Sequence, residues 1–417
     1  MSTATVSGAQ AERAAEILRS TRTIRERAGQ LLDRARRGES AWWSVDDDRM
    51  KDAANAVTHA TRERYPKLHI PLHSRWRHFE AGGVDRRAQL ESRLQADPSI
   101  RAHAMIELTV VSVLLDAGAG PDWKYVESAS GKTFTRSEGL AVASFHAFTA
   151  GLFSSDKDRP LQADSEGLRA LVTDHLAAAF QVGPSNPLVG LEGRAILLRR
   201  LGEVISEQPE VFGSERGGRP GSLFDLFGTL VSHTADVAAH DILSQLLVSL
   251  STIWPASNEI GGIALGDCWR HSAVRGEGAS DGWMPFHKLS QWLTYSLLEP
   301  FAWAGVQVRG LDGLTALPEY RNGGLLMDSG VLVLKNPSHA ETVWKSGDEL
   351  VVEWRAMTIA LLDELAGHVR KDLHLDEKHM PLACVLEGGT WSAGRTLAQE
   401  KRNGLPPLRI DSDGTVF

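Results

Sequence analysis

The spacing of apolar residues is the feature that most limits what this chain can fold into. Over most of the first 250 residues, apolar side chains recur every three to four positions, the period of a helix with one buried face. We predict helices at residues 9–37, 101–116, 138–151, 165–180, 188–207 and 235–252, with the clearest at 347–366. Strand signals are short and few, at 331–334, 382–386 and 408–410. The pattern predicts a mainly α fold with a few short strands.

Length and composition place the chain among folded globular proteins. Its 417 residues are enough for two or three hydrophobic cores, and 42% hydrophobic with 24% charged residues is close to the globular average. We predict a helical N-terminal region over residues 1–125, which carries a basic loop, and a helical core over residues 126–417, which carries the active site. The two regions could also form one continuous body.

Charge and cysteine content narrow the class of partner. The formal charge of -8 repels polyanions, so nucleic acid is not an expected partner. Cys268 and Cys384 are too few for a disulfide framework, which agrees with a reducing compartment. Neither an export signal nor an apolar run of about 18 residues occurs. We therefore expect a cytoplasmic protein that binds a small molecule and no membrane, and the sequence leaves a homodimer open.

Common cofactor and metal motifs are absent from the sequence. Residues 130–133 spell the end of a phosphate loop, but Val126 stands where that loop needs a glycine. No dinucleotide fingerprint, serine-hydrolase elbow or zinc-protease motif is present. His69 and His73 have the spacing of a helical zinc pair, yet Pro71 between them argues against a shared helical face. We expect no cofactor and no metal site, although dependence on a divalent ion stays open.

Residues 254–331 concentrate groups that catalysis uses. The candidate catalytic acids in this segment are Asp267, Glu299, Glu319 and Asp328, and the candidate binding residues are Phe286, His287, Lys288, Gln291, Trp292, Tyr320 and Arg321. A helix here would place Lys288 and Gln291 on one face. A proline before Glu319 and paired glycines after it make a constrained turn, a common position for a catalytic carboxylate. The alternative is a structural pair between Glu319 and Arg321 or Lys288.

A basic stretch at residues 72–87 surrounds aromatic side chains. Its candidate binding residues are Arg75, Arg77, His78 and Arg86, beside Trp76 and Phe79. Arginine forks and the amides of glycine turns can hold a phosphate or a carboxylate. A solvated basic turn around a buried Trp76 is the equally weighted alternative. Arg136 and Glu138 are weaker candidates, because a helix that starts at Ser137 also explains them.

Seven motifs together resemble the uracil catabolism protein 4 family. They are HSRWRHFEAGG (73–83), RSEGLAVASFHAFTAGLFS (136–154), NPLVGLEGRAILLRRLG (186–202), GDCWRH (266–271), PFHKLSQWLTYSLLEP (285–300), LPEYRNGGLLMDSGVL (317–332) and PPLRIDSDGTVF (406–417). The likeness spans about residues 10–417. It implies a cytoplasmic role in a pyrimidine-degrading route, in which uracil is converted to its ribonucleotide, ring-opened, and released as urea and a three-carbon acid. Such a route requires cleavage of a ribosyl-urea bond.

Two of these segments also resemble the queuosine salvage nucleosidases, helical proteins related in fold to DNA glycosylases. Lys288 and Gln291 match the FLKRAQIL block of that family. Residues 319–321 match its LTMFADYRVPQVL block, with glutamate in place of aspartate. The resemblance implies a DNA-glycosylase-like helical core and a catalytic role for Glu319.

Two departures from the nucleosidase blocks leave the second carboxylate open. The acid expected just after the first block is Ser296 here, with Glu299 three positions later. Residues 322–324 replace the VPQ of the second block. Asp328, Asp267 or Glu299 could therefore supply the base.

The resemblances and the acid-rich segment together predict an N-glycoside hydrolase acting on ribosylurea or its 5-phosphate. Cleavage passes through an oxocarbenium-like state, so Glu319 is expected to stabilise the cation or bind ribose hydroxyls. The other expected contacts are Lys288 and Arg321 to ribose oxygens or phosphate, Trp292 or Phe286 to the sugar face, and Arg75, Arg77 and Arg86 to a 5-phosphate. The alternative function is a non-catalytic protein that binds the ring-opened intermediate.

Overall fold

Helices dominate the computed structural model, which describes residues 6–213, 217–229, 236–254 and 258–411. They are α1 (Gly8–Leu18), α2 (Thr21–Arg36), α3 (Met50–Arg64), α4 (Arg75–Phe79), α5 (Arg86–Glu91), α6 (Pro98–Leu114), α7 (Arg136–Thr149), α8 (Ser165–Arg169), α9 (Thr173–Ala179), α10 (Leu191–Glu207), α11 (Pro209–Phe212), α12 (Leu223–Thr229), α13 (Ala239–Ser249), α14 (Lys288–Trp303), α15 (Tyr320–Asp328), α16 (Glu349–Leu373), α17 (Leu382–Val385) and α18 (Trp391–Arg402). The prediction of a mainly α fold is confirmed. The last six residues of the C-terminal motif, 412–417, lie outside the described residues.

Strands are short and pair two by two. They are β1 (Trp43–Val45), β2 (Lys124–Glu127), β3 (Lys132–Thr135), β4 (Asp236–Ala238), β5 (Glu259–Ile260), β6 (Ile263–Ala264), β7 (Cys268–Arg270), β8 (Trp283–Pro285), β9 (Gln307–Arg309), β10 (Leu332–Leu334), β11 (Val343–Lys345) and β12 (Arg409–Asp411). The pairs β1–β10, β2–β3, β5–β6 and β7–β8 are antiparallel, whereas β4–β9 and β11–β12 are parallel. Within the described ranges no sheet exceeds two strands, so the sheets connect neighbouring segments and do not form a layer of the fold.

Helix α16 is the central support of the fold. It packs against α2, α3 and α15, and its side chains Leu350, Trp354 and Met357 are buried. Glu353 and Arg355 are buried among them. A charged side chain buried in the protein interior requires charged or hydrogen-bonding partners. The interior next to α16 is therefore partly polar.

Helix α14 fixes the loop that leads into α15. It packs against α6 and α13. The Gln291 amide donates to Thr315 Oγ1 at 2.5 Å and accepts from Thr315 N at 2.7 Å. The Tyr295 hydroxyl donates to the Thr315 carbonyl oxygen at 3.0 Å. These three bonds hold the chain just before Glu319, so α14 and the start of α15 are positioned together.

The largest hydrophobic cluster takes side chains from both sides of residue 125, from Leu32 to Leu408. Two smaller clusters lie beside it, one between α2, α16 and the β8 region and one under α1. The division of the chain at residue 125 stays a prediction. No described helix combines the length and the apolar character needed to cross a bilayer.

Most predicted helices are confirmed with shifted ends. The predicted helix 9–37 is two helices, α1 and α2, and 165–180 is also two, α8 and α9. The end of the helix predicted at 347–366 is wrong, because α16 continues to Leu373 and ends at a left-handed His374. The strand predicted at 382–386 is wrong, because its apolar run is buried as α17 and the start of a π-helical turn, Leu386–Thr390.

Candidate functional site

Helix α14 presents a mixed polar and aromatic stripe along one face. The stripe, at intervals of three to four residues, consists of Lys288, Trp292, Ser296 and Glu299. The segment around α4 runs along it: Arg75 N donates to Ser296 Oγ at 3.0 Å. The ring of Trp292 lies 4.7 Å from the His73 ring and 6.0 Å from the His78 ring, centroid to centroid. Sequence-distant groups therefore meet on this face.

A buried ion pair lies at the N-terminal end of the stripe. Arg355 donates to both oxygens of Asp267, each at 2.7 Å, and its guanidinium carbon lies 4.0 Å from the Phe286 ring centre. Asp267 also accepts from Lys288 N at 3.0 Å and Trp269 Nε1 at 2.8 Å. Burial opposes ionisation of Asp267, but these donors outweigh it and lower its pKa. Its hydrogen bonds make Asp267 a positioning group for the start of α14.

Glu319 caps the N-terminus of α15. Its Oε2 accepts from Arg321 N at 2.8 Å and its Oε1 from Asn322 N at 2.6 Å. Burial raises the pKa of Glu319, whereas the two backbone amides and the charge of Lys288 act in the opposite direction. Each oxygen keeps a lone pair for another partner. The hydrogen bonds that residues 321 and 322 give Glu319 come from their backbone, so Glu319 is not paired with Arg321 as the structural alternative supposed.

The charge of Lys288 acts on this carboxylate without an ion-pair contact, and its ammonium has no hydrogen bond to any residue that the structure describes. Burial and the charge of Arg355 lower the pKa of Lys288, while Glu319, Asp267 and Asp116 oppose that shift. Lys288 is half-buried. An ammonium with three donors and no bound acceptor is suited to contact a ligand.

A second buried arginine holds a histidine neutral. Arg75 Nη1 lies 2.8 Å from Asp116 Oδ2 and 3.0 Å from His78 Nδ1, and Arg75 Nε donates to Ser112 Oγ at 2.9 Å. Because arginine only donates, His78 Nδ1 accepts and Nε2 carries the proton. Burial and the charge of Arg75 lower the pKa of His78 to about 4. This ring is therefore a neutral hydrogen-bond donor near pH 7.

His78, Lys288 and Glu319 share one environment. Desolvation is the largest cause of the pKa shift at each of them, yet each keeps part of its surface in contact with solvent. Side chains that protein surrounds but solvent still reaches are expected to line a recess. We infer such a recess between these residues, Asp116 and Trp292, and call it the polar recess.

Two predicted catalytic acids lie away from the polar recess. Asp328 is at the far end of α15, nine residues or about 13 Å from Glu319, and its two oxygens accept from Arg402. Glu299 is eleven residues or about 16 Å along α14 from Lys288. It accepts from Arg77 Nη2 at 2.7 Å. The structure therefore brings Asp267 and Glu319 to Lys288, but not Asp328 or Glu299.

Four predicted binding residues are engaged in scaffold contacts. Arg86 donates to Glu127 at 2.7 Å and to two backbone carbonyls. His287 lies 3.0 Å from the Leu18 carbonyl oxygen through Nε2, and burial lowers its pKa. Gln291 bonds Thr315, as described above, so its amide is used. Phe286 is fully buried under Arg355 and is not a sugar-facing surface.

Two arginines act on the aromatic ring of Tyr320, Arg321 from a buried position and Arg136 from an exposed one. Tyr320 is exposed, and the Arg321 guanidinium lies 4.8 Å from its ring centre. Arg136 is exposed and adopts a left-handed φ of 55°. Its positive charge acts to lower the pKa of Tyr320, against the larger raising effect of burial. Glu138 lies 3.8 Å from Arg395. The predicted ligand contacts of Tyr320 and Arg321 stay a prediction.

A separate surface groove of about 430 Å³ lies between α10 and the residues after α13. Its acids, Glu203 and Glu207, are exposed. Nothing in it resembles the buried charges of the polar recess. Within the described ranges, no three histidine, cysteine or acidic side chains converge in a way that would hold a metal ion.

Sequence reasoning missed Arg355, Asp116 and the pair His73 with Glu387. Arg355 carried a signal, since it interrupts the apolar face of the helix predicted at 347–366. Asp116 directly follows the apolar residues 113–115, and nothing in the sequence around it indicated a role in the site. His73 was weighed only as a zinc ligand; the structure places neither His73 nor His69 on a helix.

The fold is mainly α-helical, and the site gathers buried arginine–carboxylate pairs next to the N-terminal half of α14. The chain belongs to the family described as protein of unknown function (DUF1688), whose model matches residues 17–417. It is 38% identical over 409 residues to Protein urg3 of Schizosaccharomyces pombe, covering 96% of this chain and 98% of that protein. It is 37% identical over 434 residues to uracil catabolism protein 4 of Lachancea kluyveri, with the same coverage of both chains.

Proposed function

We propose that this protein acts in uracil catabolism as an N-glycoside hydrolase, which splits ribosylurea or its 5-phosphate into urea and the ribose product. The pathway rests on the name of the Lachancea kluyveri relative. The reaction rests on one structural observation: the Glu319 carboxylate is fixed by two backbone amides and feels the charge of the Lys288 ammonium, which has no hydrogen bond within the described residues.

Glycosidic cleavage builds positive charge on the ribose C1′ and ring oxygen. Glu319 supplies a fixed negative charge for that state at no cost of reorganisation, because its position is set before the ligand binds. Its raised pKa also suits it to accept a proton from the attacking water. This role needs no second carboxylate, which accords with Asp267 being used by Arg355.

Ligand contacts in the recess follow from the remaining free donors. Lys288 would bind ribose hydroxyls, and Trp292 would lie against a flat or apolar part of the ligand. His78 would donate its Nε2 proton to a carbonyl oxygen, such as that of urea. These roles divide the recess into a sugar end near Glu319 and a urea end near Trp292.

The arginines first considered for a 5-phosphate are already engaged. Arg75 bonds Asp116, Arg77 bonds Glu299, and Arg86 bonds Glu127. A phosphate would therefore be bound beside Tyr320, by the exposed Arg136 or by Arg321, which is buried and gives one hydrogen bond to the Gly404 carbonyl. Comparing the two substrates measures how much that contact contributes.

The test is to incubate the purified full chain with ribosylurea and with its 5-phosphate and to measure free urea, with and without a chelator. We expect catalytic urea release from at least one substrate. Tight binding of both without turnover would instead identify a binding protein for the ring-opened intermediate and overturn the proposed hydrolase.

A further inference from the structure

A carboxylate-imidazole pair lies at the urea end of the polar recess. His73 lies at a bend just before α4, and its Nδ1 is 2.9 Å from Oε2 of Glu387. Glu387 lies in the π-helical turn between α17 and α18. Its other oxygen accepts from Arg64 Nη2 at 2.7 Å and from the Tyr65 hydroxyl at 2.9 Å. The carboxylate is thus anchored on one side and directs the imidazole with the other.

This arrangement fixes the proton on His73. Burial opposes ionisation of Glu387, but the bonds and charges of His73 and Arg64 outweigh it and lower its pKa to about 2. An ionised carboxylate only accepts, so His73 Nδ1 donates to it and one ring proton is held at Nδ1. Nε2 makes no hydrogen bond with the part of the chain that the structure describes.

The position of His73 connects the pair to Glu319. Its ring packs 4.7 Å from Trp292, which follows Lys288 by one turn of α14. The side chain keeps 17% of its surface exposed. The imidazole therefore reaches the recess one helical turn from the Lys288–Glu319 end.

The two histidines beside Trp292 have partners of opposite charge. Arg75 faces His78 with a positive charge and keeps it neutral, whereas Glu387 faces His73 with a negative charge. A histidine that transfers a proton through one ring nitrogen needs a partner on the other nitrogen that stabilises the charge change, and a carboxylate is such a partner. Of these two rings, only His73 has that partner.

We propose that His73, oriented by Glu387, is the general acid that protonates the departing urea nitrogen; this inference rests on the proposed hydrolase activity. As the C1′–N bond breaks, its electron pair goes to nitrogen, which takes the Nε2 proton of His73. Water adds its oxygen to C1′ and gives one proton to Glu319. Proton exchange with solvent returns Glu319 and His73 to their starting states, so one water is consumed for each urea released.

The test uses the full chain with His73→Ala and His73→Gln, and urea release as the readout. We expect kcat to fall by roughly 10²- to 10⁴-fold with KM little changed, and added imidazole to restore part of the turnover of His73→Ala. Glu387→Gln, which keeps the shape but removes the charge, should also lower kcat. His59→Ala is the matched control, because His59 is an exposed histidine on α3, and it should behave as wild type.

Three results separate the possible failures. If wild type releases no urea, the proposed hydrolase is overturned and this inference with it. If wild type is active and folded His73→Ala retains wild-type kcat, only the role of His73 is overturned. If both His73 variants lose activity but imidazole restores none to folded His73→Ala, a structural role for the pair replaces the catalytic one.

Discussion

Arg355 holds Asp267 by two parallel hydrogen bonds of 2.7 Å, and Asp267 in turn accepts the backbone N–H of Lys288 at the first residue of α14. The central helix α16 is thereby tied to the helix that carries the polar recess. Arg355 is 1% exposed and Asp267 is 9% exposed. A pair at this depth is a structural support whose two members depend on each other.

Arg355→Met should therefore destabilise the protein strongly. The substitution keeps most of the buried volume but leaves the Asp267 carboxylate without its counter-charge, which typically costs about 3–5 kcal/mol. Chemical denaturation of both proteins measures the difference. Arg309→Met is the control, because Arg309 pairs with Asp236 at 2.9 Å while 66% exposed, and such surface pairs contribute under about 1 kcal/mol. Equal costs for the two variants would contradict the support role of Arg355.

Two substitutions of Glu319 should separate its contribution to stability, as the cap of α15, from its contribution to the reaction. Glu319→Gln retains an oxygen for the α15 amides, so we expect a folded protein whose urea release falls roughly 10²- to 10⁴-fold. Glu319→Ala should also lose about 0.5–2 kcal/mol of stability through the missing cap. Asp97→Ala removes the cap of α6, where Asp97 accepts from Ser99 N and Ile100 N. That control should lose stability but keep activity; a fully active Glu319→Gln would exclude Glu319 from the reaction.

The elements of the site could be predicted from sequence better than its contacts could. Helical period and family-like blocks identify α14 and α15, and the proline–glycine context places Glu319 at a helix start, where the structure has it. The Arg355–Asp267 pair spans 88 residues and the His73–Glu387 pair spans 314. Periodicity says which face of a helix is buried but not which distant element covers it.

The same limit explains the candidates that proved to be engaged elsewhere. A sequence alone does not show that a charged residue has a distant partner. Arg77 pairs with Glu299, Arg86 with Glu127, and Asp328 with Arg402. Burial of a charged side chain favours such pairing. An apolar stretch such as 382–386 is similarly ambiguous, because burial on all sides suits a strand or a helix equally.

The pH dependence of stability should report the neutral state of His78. Its pKa is lowered to about 4 in the folded protein from an ordinary value near 6.5. Between these values the unfolded chain binds a proton that the folded protein does not, so this contribution lowers stability as pH falls from about 6.5 to 4 and is absent above that window. Arg75, Asp116, Glu138 and His73 are the charged groups acting on the ring.

His78→Gln removes that titration while keeping an acceptor for Arg75. The stability difference between variant and wild type should therefore shift in favour of the variant as pH falls through this window. The shift should be on the order of 3 kcal/mol at most, because the ring keeps part of its solvent contact. Denaturation at pH 7 and pH 4.5 measures it, with exposed His59→Gln as the control. An unchanged difference between the two pH values would refute the assignment of a neutral, buried His78.

Lys288→Met should move stability and activity in opposite directions. The ammonium is desolvated, lies near Arg355, and has no hydrogen bond within the described residues. Replacing it with an apolar chain of similar length should therefore leave the free energy of unfolding unchanged or slightly higher. Ligand binding should weaken, and kcat/KM for urea release should fall about tenfold or more, since a donor to a polar ligand is lost. Lys378→Met, at an exposed position after α16, should change neither quantity. A residue kept for ligand binding is expected to lower the stability of the ligand-free protein, so removing it should not destabilise the fold. If Lys288→Met lowers the free energy of unfolding by several kcal/mol, the ammonium supports the fold instead.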